Sequence, residues 1–208
     1  MSLFDKHFDK VYCINLDRRP DRWENTLTEL KKHNINNVIR FSAVDGRELN
    51  EKCNLLNGEI GILKTHINLI QQCKNENIKS VLILEDDVVF TDEIKNIDWY
   101  MSMIPDDWDF IYFGGNHDYG PLPKKLNNNI LIAKDVVALH CVAIKNTMFD
   151  SILNLIPNME AQVDVYYKQL QKMSNSFCIT PNIAYQREGY SDIQNNFVNY
   201  NHFFSKIL

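Results

Sequence analysis

A chain of 208 residues, 45% hydrophobic and 24% charged, has an ordinary globular composition and enough length for one core, so a single domain over residues 1–208 is the expectation. A net charge of -5 and a pI near 5.7 leave no basic footprint for a nucleic-acid backbone or an anionic membrane. The expected partner is a small molecule or another protein, and no nucleic acid.

Residues 10–16 (KVYCINL) form the first predicted strand. Over residues 18–33, Trp23, Leu27 and Leu30 fall at i, i+4 and i+7 with Pro20 in the first turn, which predicts a helix with one buried stripe. A second strand, residues 38–44, ends at the Asp45-Gly46 turn signal. In the helix predicted over residues 58–77, Ile60, Leu63, Ile67 and Ile70 form one face, and Ile62, Leu69 and Cys73 widen it to burial on two sides. Residues 80–84 (SVLIL) read as a short all-apolar strand at the centre of a parallel sheet, running straight into Glu85, Asp86 and Asp87. Residues 110–113 (FIYF) are a further strand, stopped by Gly114 and Gly115, and residues 116–129 a loop with two prolines. Strands over 130–133 and 136–144, helices over 146–155 and 160–171, and a strand over 177–179 complete the chain. This alternation predicts an α/β fold with a mostly parallel central sheet and helices on both faces.

The five cysteines are an odd number, widely spaced and without a C-x-x-C pair; three of them sit inside apolar runs and read as small core residues in a reducing compartment. Charges at Asp5, Lys6, Asp9 and Lys10 interrupt the N-terminal segment, so neither a signal peptide nor a transmembrane span is expected, and the cytoplasm is the expected address.

Ligands of open α/β sheets gather outside the carboxyl ends of the strands, where the acidic triplet falls. Three ionised carboxylates this close repel one another, and Mg²⁺ or Mn²⁺ would relieve the repulsion. In an extended chain Glu85 and Asp87 point to one side and Asp86 to the other. Glu85 and Asp87 are therefore the metal candidates, and Asp86 suits a sugar hydroxyl or a structural hydrogen bond. Taken alone, the triplet reads equally well as solvated residues that end a strand. Arg18, Arg19 and Arg22 stand at the mouth of the first strand, beside free N–H groups of the next helix, a setting that favours a phosphate. Asp17 and Asp21 could instead pair with them on the surface, for about 0–1 kcal/mol each.

VYCINLDRRPDRW (11–23), FSAVDG (41–46), GEIGILKTHINLIQ (58–71), VLILEDDVVF (81–90) and DFIYFGG (109–115) stand in this order. Together they resemble the glycosyltransferase family 25 proteins, which include lipooligosaccharide sugar transferases and procollagen galactosyltransferases. The resemblance implies a GT-A fold with a Rossmann-like nucleotide-binding layer, the EDD sequence serving as the Asp-x-Asp motif for Mn²⁺ or Mg²⁺. It implies transfer of a sugar, commonly galactose from a UDP-sugar donor, to a glycan or protein acceptor with inversion. Carried over by position, Asn15, Leu16, Arg18 and Arg22 become the nucleotide-proximal strand end and Asp45 a base or ribose contact. His66 becomes a donor-proximal histidine, its alternative being a hydrogen-bonded core residue. Asp164 becomes the general base, and Gln186, Ser191 and Asp192 the C-terminal donor segment. His202 is the candidate third metal ligand. The chain is short for a GT-A enzyme with a full acceptor subdomain, and a non-catalytic nucleotide- or sugar-binding module, or a partner subunit, with a retained GT-A fold is the competing reading. A phosphatase would need an aspartate where Glu85 stands, and neither G-x-S-x-G nor a P-loop sequence is present.

Overall fold

The computed structural model describes residues 2–51, 53–117, 123–158 and 160–200. In chain order the strands and α-helices are β1 (Lys10–Leu16), α1 (Pro20–Lys32), β2 (Val38–Ala43), α2 (Asn57–Asn75), β3 (Ser80–Glu85), β4 (Val88–Phe90), α3 (Ile97–Ser102), β5 (Phe110–Tyr112), β6 (Ile130–Ile132), β7 (Cys141–Lys145), α4 (Phe149–Leu155), α5 (Val163–Gln171), β8 (Ser176–Ile179), β9 (Ala184–Gln186), β10 (Gly189–Ser191) and β11 (Asn196–Val198). Seven of these strands form the central sheet, in the order β2-β1-β3-β7-β5-β8-β6. β1 pairs parallel with β2 and β3, and β5 with β8; β7 runs against β3 and β5, and β6 against β8. Within this sheet the five strands other than β6 and β7 thus point the same way.

The register explains why β3 is apolar throughout. Val81 and Ile83 join Tyr12 and Ile14 in one core, while Leu82 and Leu84 join Val11 and Cys13 in another, on the opposite face of the sheet. Leu63, Leu69 and Ile70 of α2, Ile152 of α4 and Tyr167 of α5 cover the first core. Leu30 of α1 and Tyr100 of α3, with Phe4 and Phe8, close the second. Each such aliphatic side chain contributes about 1.5–3 kcal/mol when fully buried. No described helix is long and apolar enough to cross a membrane.

Three expectations are corrected. Leu27 is 46% exposed; α1 buries Leu30 as expected, but Thr26 in place of Leu27. The strand expected over residues 136–144 is regular only from Cys141. The reason is local: both backbone polar groups of Val136 are taken by the side-chain amide of Gln171, at 2.9 and 2.7 Å, and Ala138 turns to a φ of 77°. Finally, α3 and two small ribbons, β4 with β9 and β10 with β11, lie in stretches with no predicted element.

Candidate active site

The carboxyl ends of β1 and β3, the N-terminal turns of α1, α2 and α5, and the segment from Gln186 to Tyr200 surround one cavity of about 920 Å³. Every described candidate residue except His66 lines it. His202 lies outside the described residues.

The acidic triplet does not stay extended. The chain turns at Asp86 and Asp87, so the expected alternation fails and both residues reach the same guanidinium: Arg22 Nη2 lies 2.7 Å from Asp86 and 2.8 Å from Asp87. Asn15 Nδ2 donates to Asp86 Oδ2 at 2.6 Å, and Arg40 Nε donates to Asn15 Oδ1 at 2.8 Å. Thr26 of α1 donates to the Asp86 carbonyl at 2.8 Å. Asp86 is thereby a structural acceptor joining β1, β3 and α1. Burial outweighs the attraction of Arg22 and raises its pKa to about 6. Burial, then the charges of Asp87 and Asp86, push the Glu85 carboxyl well above the usual range. Asp87 Oδ1 is buried with no donor among the described residues.

The arginines at the strand end are engaged by carboxylates. Arg18 holds Asp45 at 2.7 Å and Asp192 at 2.5 Å, and Arg19 holds Asp21 at 2.8 Å and also Asp192. Asp192 arrives on the turn between β10 and β11. That turn packs so closely on the start of α2 that a Cβ at Gly58 would meet Ile193 Cα at 2.4 Å and the Asp192 carbonyl at 2.8 Å. Only glycine fits there.

Across the cavity, Asp164 stands in the first turn of α5. Burial raises its pKa, against backbone N–H groups that include that of Ala138.

A family model described as "Glycosyltransferase family 25 (LPS biosynthesis protein)" matches residues 8–119. The chain belongs to glycosyltransferase family 25. It is 31% identical over 130 residues to a Bos taurus protein named "Probable inactive glycosyltransferase 25 family member 3", covering 51% of this chain and 22% of that one. It is 30% identical over 141 residues to Procollagen galactosyltransferase 1 of Danio rerio, covering 57% of this chain and 23% of the relative. The chain thus spans under a quarter of the length of these relatives. In structure it is similar to a glycosyltransferase involved in the glycosylation of the major capsid of PBCV-1, with a TM-score of 0.52 at 11% identity, over 96% of this chain and 89% of that one. That likeness concerns the fold, an α/β fold of the GT-A type.

Against the positions that family 25 suggests, His66 is the one set apart. It is fully buried in α2, its Nδ1 is 2.9 Å from the Tyr167 hydroxyl, and burial lowers its pKa to about 4. It is a core residue behind the cavity wall. Conversely, Glu59, Arg187 and Tyr200 line the cavity without having been singled out in the sequence. Tyr200 is near enough to Asp87, Glu85 and Asp164 for their charges to add to burial in raising its pKa. No motif marks Tyr200, whereas Arg187 directly follows Gln186 and was within reach of a charge count.

Proposed function

We propose that this family 25 domain is an active glycosyltransferase that moves a hexose, galactose or glucose, from a UDP-sugar to a glycan or protein hydroxyl with inversion. The observation that carries the reading is the convergence of Glu85, Asp87 and a half-buried Asp164 on one cavity of about 920 Å³. A divalent ion fits Glu85 and Asp87, because Asp87 Oδ1 is buried with no donor among the described residues, and burial together with the charges of Asp87 and Asp86 holds Glu85 against ionising, a cost a cation would relieve. Mn²⁺ or Mg²⁺ needs only one or two carboxylates when diphosphate oxygens and water complete its shell. When bound, it would supply Lewis-acid stabilisation of the departing diphosphate.

The chain's own groups supply the rest. Asp164, its pKa raised by burial, is a stronger base than an ordinary aspartate and takes the acceptor proton as the new bond forms. Direct attack by that acceptor oxygen, as the bond from the sugar to the diphosphate breaks, is a single displacement and inverts the anomeric centre. Asn15 and Leu16 border the nucleotide, Asp45 its ribose or base, and Gln186 and Ser191 the donor sugar side, with Asp86 holding the frame. Five free cysteines, four of them buried, support a reducing compartment such as the cytoplasm.

The name of the Bos taurus relative favours one alternative, a domain that binds nucleotide sugars without turning them over. Incubation with Mn²⁺ and each common nucleotide sugar, followed by measurement of free nucleotide, separates the two. Metal-dependent release supports the transferase; tight binding without release supports the binding module.

A further inference from the structure

Six cations line the cavity: Arg18, Arg19, Arg22, Arg47, Lys168 and Arg187. The first five are each in an ion pair with a carboxylate, among them Arg18 with Asp192 at 2.5 Å and Lys168 with Asp135 at 3.4 Å. Arg187 differs. Among the described residues its guanidinium, half-buried in the wall, has no carboxylate and no hydrogen-bond acceptor.

The backbone fixes where that bare guanidinium starts. β9 pairs antiparallel with β4, Gln186 lying opposite Val88, and the Arg187 N–H donates to the Asp87 carbonyl at 2.7 Å. Arg187 therefore stands across from the residue proposed to hold the metal, anchored by its main chain and not by its side chain. Its neighbour Glu188, the nearest carboxylate in sequence, accepts instead from Asn199 at 2.7 Å.

We infer that Arg187 is the cation that receives the phosphate charge of the donor's diphosphate beside Asp87, a role the strand-end arginines could fill only by releasing their own carboxylates. The inference rests on the nucleotide-sugar reading above. The physical ground is a difference in cost. A diphosphate reaching Arg18 or Arg22 must first displace an ion pair, whereas at Arg187 it finds five N–H donors with nothing to displace. The planar fork suits phosphate oxygens, and an ammonium at this place would meet them only as a point charge.

The test is calorimetry in Mn²⁺ with UDP, GDP, CDP and ADP, taking the tightest diphosphate and its own nucleoside as the paired probes. Arg187→Gln is expected to weaken the diphosphate by about tenfold or more and leave the nucleoside unchanged. Arg187→Lys is expected to recover part of the loss. Both variants should melt with the wild type, because among the described residues the guanidinium makes no hydrogen bond or ion pair whose loss would destabilise the protein. If Arg187→Gln binds the diphosphate as the wild type does while Asp87→Asn does not, the inference is overturned and the donor reading stands. If the wild type itself binds no diphosphate more tightly than its nucleoside, the donor reading falls and takes this inference with it.

Discussion

The Asn15 amide donates to Asp86 Oδ2 at 2.6 Å, tying the end of β1 to the end of β3. This bond, with Arg22 and Thr26, commits Asp86 to the frame and leaves Asp87 as the carboxylate with an oxygen to spare. Asp87→Asn is expected to abolish metal-dependent UDP binding with the fold intact, and Asp86→Asn to weaken it less. Calorimetry with UDP and Mn²⁺ checks both; unchanged affinity in Asp87→Asn removes Asp87 from the metal site.

Arg22 is the shared counter-ion of Asp86 and Asp87. Arg22→Ala leaves two largely buried carboxylates uncompensated and is expected to cost roughly 3 kcal/mol of stability, the range for a buried pair broken on one side. Urea denaturation measures it. A loss below about 0.5 kcal/mol would mean that solvent already screens the pair.

Asp164→Asn keeps the shape but cannot take a proton usefully, so the transfer rate should fall by about 10²–10⁴-fold while donor affinity holds. Rates at saturating donor, alongside a melting curve, decide. A variant that transfers at the wild-type rate excludes Asp164, and Glu59 or Asp192, which also line the cavity, becomes the next carboxylate to test.

His66 sets a pH dependence of known sign. Its folded pKa, about 4, lies below the free value of 6.5, so the unfolded chain binds the proton more readily. Stability is full above pH 6.5 and declines as pH falls towards 4, by about 3 kcal/mol in all at about 1.4 kcal/mol per unit. Asp86, raised to about 6, works the other way, gaining stability as pH falls through about 6 towards 4. Melting curves of wild type and His66→Gln between pH 7 and 4 isolate the histidine: the variant should lose less on acidification, and identical curves would refute its buried neutral state.

Much of the sheet and of the cavity wall was legible in the residues. The apolar period of β1 and β3 marks the sheet centre, and strand-end position alone brings Asn15, Glu85 and Asp87 to one cavity. What was not legible depends on partners distant in the chain. Val136 to His140 has strand composition, yet the Gln171 amide replaces its ladder. His66 sits at a helical position equally suited to a core face or a site, and only packing against Tyr167 decides. The arginine cluster reads as a phosphate seat because nothing local reveals that Asp192, more than 170 residues on, returns to it.

That return makes the protein its own competitor. Any anion that uses Arg18 and Arg19 must take donors that the C-terminal turn already holds, so its measured dissociation constant is the intrinsic one divided by the fraction of molecules whose turn is away. A hold of about 1.4 kcal/mol leaves about a tenth of the population available and weakens apparent affinity tenfold, without touching the contacts of the bound state. Salt, which loosens Arg–Asp pairs and anion binding alike, would then act on both sides of the balance, and the ionic-strength dependence of a ligand seated there would be shallower than its charge suggests.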